Sequence, residues 1–183
     1  MQSLQSPQSF ISIEELNQLN RVITAIASPF IGQPFGWVSV GYGDEIYLHF
    51  GPENITQGKS GKLYKEGELV LETFASCWEL RQSKEVMLND SVFAGTFGAS
   101  NEIRLHDTFK RLTSKVLTGI NIESIPHGIK TVFSFTEEFS FHLFPHPNNP
   151  NLPLWELFMA TSQILTLENK PPFWSCHSSH DRY

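Results

Sequence analysis

The chain has 183 residues, 40% of them hydrophobic, 13% aromatic and 17% charged, which supplies one core of ordinary size and argues against disorder along most of its length. Its formal net charge of −6 provides no long-range attraction to phosphate backbones or anionic lipid, so neither nucleic acid nor membrane is an expected partner. The first 20 residues contain no Lys or Arg and no apolar run, which argues against a secretory signal and makes the cytoplasm the expected compartment.

Residues 1–9 are polar and rich in Gln and Ser, the composition of a flexible end. Ser12-Ile13-Glu14-Glu15 then offers a capping box, and Ile13, Leu16, Leu19, Ile23 and Ile26 recur at spacings of three and four. That pattern predicts an amphipathic helix ending near Ser28-Pro29. Beyond it the period changes to two: Trp37–Val40 and Glu45–Phe50 flank Gly41-Tyr42-Gly43-Asp44, the pattern of a β-hairpin. Residues 51–67, with four glycines and three lysines, read as a long exposed connection. Glu68–Glu72 and Cys77–Arg81 read as strands, the second with Trp78 and Leu80 opposite Glu79 and Arg81.

Residues 86–100 show no clear period. Alternation returns at Arg111–Val116, Ile120–Ile122, Thr131–Phe135 and Phe139–Phe144, and Thr136-Glu137-Glu138 makes a tight reversal that pairs the last two. A further strand follows at Leu154–Phe158. The tail, with Pro171-Pro172 and a polar end over 176–183, is expected to wrap or fray. The resulting expectation is one α+β domain over 1–183, an N-terminal amphipathic helix with a mainly antiparallel β-sheet, strongly curved or barrel-like closure being left open.

Few residue sets invite chemistry. Gly58-Lys59-Ser60 resembles part of a phosphate loop, but positions 53 and 54 are Glu and Asn where a glycine is required. Cys176-His177-Ser178-Ser179-His180-Asp181 contains metal-capable and triad-capable side chains, yet consecutive positions at a chain end do not converge on one atom. His49 reads as solvent-facing, His106 and His127 lie beside turn-like sequence, and Asp44-Glu45 and Glu137-Glu138 sit at reversals. No catalytic, cofactor-binding or metal-binding residue is assigned and no cofactor is expected; the roles of His142, His146, His177 and His180 stay open. Cys77, between Phe74 and Trp78, reads as a buried free thiol. Phe133, Phe135, Phe139 and Phe141 with Trp155 and Phe158 form the strongest pattern, one sheet face that is either core or the lining of a ligand cavity.

Ser76–Leu80, Leu112–Val116, the strand pair Thr131–Phe135 and Phe139–Phe144, and Trp155–Leu157 together resemble a loose class of small bacterial β-rich proteins, some of which act as immunity proteins beside toxins. The resemblance covers roughly residues 68–158 and implies a surface that binds a partner without chemistry. The leading expectation is therefore a non-catalytic protein-binding module, with complementary charge favouring a basic partner. Two alternatives accompany it: a small-molecule binder or enzyme with a site in an aromatic-lined sheet cavity, using His142 or His49, and a structural or assembly subunit whose sheet edges pair between copies, which includes a homodimer.

Overall fold

The computed structural model describes residues 11–41, 45–57, 61, 63–74, 76–93, 98–146, 148, 152–159 and 161–178. They form two helices, α1 (Ile13–Ile26) and α2 (Ala99–Lys110), and two antiparallel sheets. The six-stranded sheet has the order β1 (Phe35–Val40), β2 (Ile46–Gln57), β3 (Leu63–Thr73), β9 (Trp155–Met159), β10 (Gln163–Leu167), β11 (Trp174–Ser178). The five-stranded sheet has the order β5 (Glu85–Asn89), β4 (Ser76–Gln82), β8 (Phe139–Pro145), β7 (Gly128–Phe135), β6 (Leu117–Ile125). The chain leaves the first sheet after β3, builds the whole second sheet, and returns at β9. The fold is α+β as expected, with two open-edged sheets in place of a closed barrel.

Alternation explains the packing. On the six-stranded sheet Val38, Leu48, Leu71, Leu157 and Leu165 stand in register across five strands and all are buried. On the other sheet Leu80, Phe141, Phe133 and Ile120 do the same. The two rows belong to one core. Phe50 stacks on Phe135 at 6.2 Å, Phe133 meets Trp155 edge-on at 5.7 Å, and the Trp155 indole N–H donates to Thr131 Oγ1 at 2.9 Å. The Phe stripe is thus core, but Phe158 departs from it: with Trp155 and Leu157 facing in, Phe158 falls on the outer face.

Helix α1 starts as the sequence predicts. Ser12 Oγ accepts from the Glu15 N–H at 3.2 Å, and the Glu15 carboxylate accepts from the Ser12 hydroxyl at 2.6 Å and from the Ser12 N–H at 3.0 Å, bonds that hold its pKa below the usual value, the hydroxyl's first. Leu19 and Ile23 are buried beside β6, while Ile13, at the head of the stripe, is 79% exposed. Asn20 faces the same strand: its Nδ2 donates to the Ile122 carbonyl at 2.8 Å and its Oδ1 accepts from the Ile122 N–H at 2.7 Å. One side chain thereby occupies both outward-facing backbone groups of an edge residue.

Helix α2 escaped the sequence reading because its buried stripe is only Leu105 and Phe109, and its N-cap, Gly98, supplies no side-chain acceptor. Phe109 nevertheless fills the space between the sheets, 6.0 Å from Phe35, 5.9 Å from Trp78 and 6.0 Å from Phe141. Other expectations are corrected by longer-range pairing. Residues 51–57 and 63–67 continue β2 and β3, residues 111–114 form a turn and Val116 makes only an isolated bridge to Pro34 before β6, and the stretch read as tail carries β10 and β11. The Thr136–Glu138 reversal is present, with Glu137 and Glu138 at positive φ. No helix among the described residues is long and apolar enough to cross a membrane.

Candidate functional site

The outer face of the six-stranded sheet carries two rows of residues. One runs Trp37, His49, Val70, Phe158, Ile164, His177, and the next runs Ser39, Tyr47, Glu72, Glu156, Thr166, Ser175. An outer face is ordinarily solvated, yet His49, Glu72, Glu156 and Thr166 are all buried. Part of the cover comes from the β2–β3 hairpin. Between Phe50 and Glu53 the register shifts, with Gly51 at φ +73, which is a β-bulge. The bulge bends the distal hairpin over the face, so that Lys65 Nζ stands 4.7 Å from the ring centroid of Trp37, two strands away. Lys65 also pairs with Glu53 at 2.6 Å. Gly67 lies so close to β2 that a Cβ there would sit 2.7 Å from the Phe50 carbonyl oxygen and 2.8 Å from its nitrogen.

Under this hairpin is a cleft of about 430 Å³ lined by Ser39, Val40, Tyr47, His49, Lys65, Glu66, Val70 and Phe158. His49 is its organising residue. The ring stacks on Trp37 at 4.6 Å. Its Nδ1 accepts from the Gly67 N–H at 3.1 Å, and its Nε2 lies 2.8 Å from Ser39 Oγ. Because a backbone N–H can only donate, Nδ1 is the bare nitrogen, and the ring proton is on Nε2, donated to Ser39. Burial, assisted by the Lys65 charge, lowers the His49 pKa to about 4, so the ring is neutral at pH 7.

This geometry has a direct chemical consequence. Nucleophilic activation of a serine needs an imidazole nitrogen that accepts the hydroxyl proton, with the other nitrogen donating to a carboxylate. Here both directions are reversed, so His49 does not deprotonate Ser39. What the arrangement does leave is the Ser39 O–H, whose oxygen is already held by His49, as a fixed donor at the cleft. Behind it Tyr47 donates to Glu72 at 2.6 Å and Thr166 donates to Glu156 at 3.1 Å, which holds the polar row in place. Glu168 is pushed above the usual carboxylate value by burial and by Glu156.

The other histidines do not converge. His177 shares the His49 row but lies four strands away, about 19 Å at ordinary strand spacing. His142 is half-buried on the outer face of the other sheet, its Nε2 2.9 Å from Ser140 Oγ and its buried Nδ1 without a hydrogen-bond partner among the described residues. Burial, then Arg81 and Lys130, lowers its pKa. His146 accepts from the Asn148 N–H, and His106 and His127 are exposed. His180 and Asp181 lie outside the described residues, as do Lys59 and Ser60. Among the described residues no group of three or more His, Cys, Asp or Glu is placed to hold a metal. Cys77 and Cys176 are both free; burial and then Asp90 push the Cys77 thiol up to about 12.

A larger depression of about 550 Å³ lies between β5 and α2, lined by both signs of charge with Val86 and Ile103 exposed beside it. None of its polar lining residues is buried, whereas His49 in the smaller cleft is. Reading the sequence missed Ser39, Tyr47, Lys65 and Glu66 as neighbours of His49. The available signal was the pair Gly51 and Gly67, which lets two backbones approach closely inside what otherwise reads as loop. No family model, curated protein or solved structure matches the chain.

Proposed function

We propose that this is a non-catalytic binding protein whose site is the His49 cleft and whose ligand is a small, mainly apolar molecule bearing one hydrogen-bond acceptor. The observation that carries this reading is the engagement of both His49 ring nitrogens within the protein. It occupies both nitrogens of His49 and supports a pre-oriented Ser39 donor above an apolar wall of Val40, Val70 and Phe158. The expected test is protein-observed NMR against a library of small aromatic and aliphatic carbonyl compounds. Binders should shift the amides of Ser39, His49 and Gly67, and Val70→Trp, which fills the cleft, should abolish those shifts. Compounds that bind V70W as well as the parent chain, or a library that leaves these amides unmoved, would refute the assignment.

A second reading keeps a protein partner, of which an immunity-type role is one case. Val86 and Ile103, 45% and 60% exposed on either side of the β5–α2 groove, favour it as apolar anchors, and the acidic chain suits a basic partner. A partner recovered from the native host should lose affinity on Ile103→Ser, and an unchanged affinity would remove the groove from consideration.

A further inference from the structure

Beyond the bulge, residues 53–57 and 63–67 pair with each other, and two contacts of a different kind tie them to the sheet face beneath. The Gly67 N–H donates to His49 Nδ1 at 3.1 Å, and the Lys65 ammonium stands 4.7 Å from the Trp37 ring centroid. The two anchors adjoin, since the His49 and Trp37 rings stack at 4.6 Å. The register shift between Phe50 and Glu53, with Gly51 at φ +73, lies where these strands must bend in order to lift.

The Gly67 bond requires a ring with one bare nitrogen. With Nε2 donating to Ser39, a second proton enters only at Nδ1. Its N–H then faces the Gly67 N–H, donor against donor, and attraction is replaced by repulsion. The same proton sets a positive ring near the Lys65 ammonium, which the stacked Trp37 holds close by. One event therefore weakens both anchors. The other charged or titratable groups around the ring lie on the hairpin's own strands. On β2, Glu53 pairs with Lys65 at 2.6 Å and Tyr47 donates to Glu72; on β3, Glu66 lines the cleft beside Lys65. β1 presents Trp37 and Ser39 and β9 presents Phe158, which carry no charge, and Glu156 stands one row further on, bonded to Thr166.

We propose that the His49–Gly67 bond is an acid-released latch: protonation of His49 at Nδ1 lets the hairpin lift and uncover the cleft, and its loss closes the cleft again. The direction follows from linkage. In the closed site burial, then the Lys65 charge, hold the His49 pKa at about 4 in place of 6.5. A lifted hairpin returns the ring to water and to the higher value, so proton uptake favours the open form between the two. As a gate for a ligand the latch rests on the binding reading above, whereas the latch itself stands on the hairpin's geometry alone.

The test follows the full chain by NMR from neutral to acid pH with no ligand added, so a cleft that binds nothing in the small-molecule screen leaves the latch standing and the two readings fail separately. The Gly67 amide should exchange well ahead of those of Leu48 and Leu71, in the body of the same two strands. Its protection, corrected for the intrinsic pH dependence of exchange, should fall about tenfold per pH unit below the ordinary histidine value. Imidazole nitrogen shifts read His49 protonation in the same samples. Wherever the ring is protonated, the ring-current shift that Trp37 imposes on the Lys65 ε-methylene should collapse. His49→Asn keeps an acceptor, Oδ1, where Nδ1 stood and does not titrate, so its Gly67 protection should be independent of pH; should that variant fail to fold, the parent chain's shifts decide alone. Gly67 exchanging in step with Leu48 and Leu71, protection that does not follow His49 protonation, or a Lys65 shift that persists beside the protonated ring each overturns the proposal. So does a fall that survives in H49N, which would assign the response to Glu53 or Glu66.

Discussion

The outer faces of the two sheets start from the same materials and end differently. Each carries a histidine whose Nε2 meets a serine hydroxyl, His49 with Ser39 at 2.8 Å and His142 with Ser140 at 2.9 Å. On the five-stranded sheet His142 stays half-buried among Glu79, Arg81, Lys130 and Glu123, with ion pairs Arg81–Glu79 and Lys130–Glu123 in partial contact with solvent. On the six-stranded sheet His49 is 4% exposed and neutral beneath a bent hairpin. Alternation alone makes a solvated face; a bulge that folds the sheet's own strands back over it makes a cleft.

The largest expected effect tests that burial through pH. The His49 pKa is lowered from 6.5 to about 4, so between these values the unfolded chain binds the proton and the folded chain does not. Stability is then full above pH 6.5 and falls as the pH drops toward 4. At about 1.4 kcal/mol per pH unit this amounts to about 3 kcal/mol. Urea unfolding across that window should show the loss, and His49→Gln should flatten it. A slope unchanged in the variant would mean that His49 is not the group responsible. The His142 pKa is also lowered, chiefly by burial, but this ring is less buried, so His142→Gln should lessen the loss of stability below pH 6.5 by a smaller amount.

Two glycines sharpen the contrast. Gly67→Ala forces a Cβ against the Phe50 backbone, which cannot yield as a side-chain tip would; we expect a loss of about 2 kcal/mol and a lifted hairpin. Gly119→Ala on β6 meets nothing within 4 Å and should cost about 0 kcal/mol. Paired thermal melts check both, and equal effects would show that the hairpin is not clamped at Gly67.

These comparisons also mark what the sequence could disclose. The Ser12 box, the Trp78/Leu80 alternation and the Phe133–Phe141 reversal are local signals, and each element stands where those residues predict it. The cleft was not legible, because it depends on Lys65 reaching Trp37 across two strands and on Gly67 donating to His49, contacts set by a bulge within residues that read as loop. α2 was illegible for a different reason, its buried stripe being two residues long. The strands after Pro171-Pro172 and before it were hidden because short segments gain their order from neighbours, β9 for β10 and β10 for β11.

Edges extend the contrast from faces to borders, with smaller effects. Asn20→Ala removes both side-chain bonds to Ile122 and should cost about 1.5 kcal/mol, a loss that urea unfolding reads directly. The smallest effect belongs to the solvated face. Arg81→Ala breaks a partly exposed ion pair with Glu79 and should cost about 0.5 kcal/mol, a value that falls further in high salt, because water already screens this pair where the hairpin shields His49. A loss several times larger, insensitive to salt, would mean that the two outer faces are equally buried and that the hairpin is not what sets them apart.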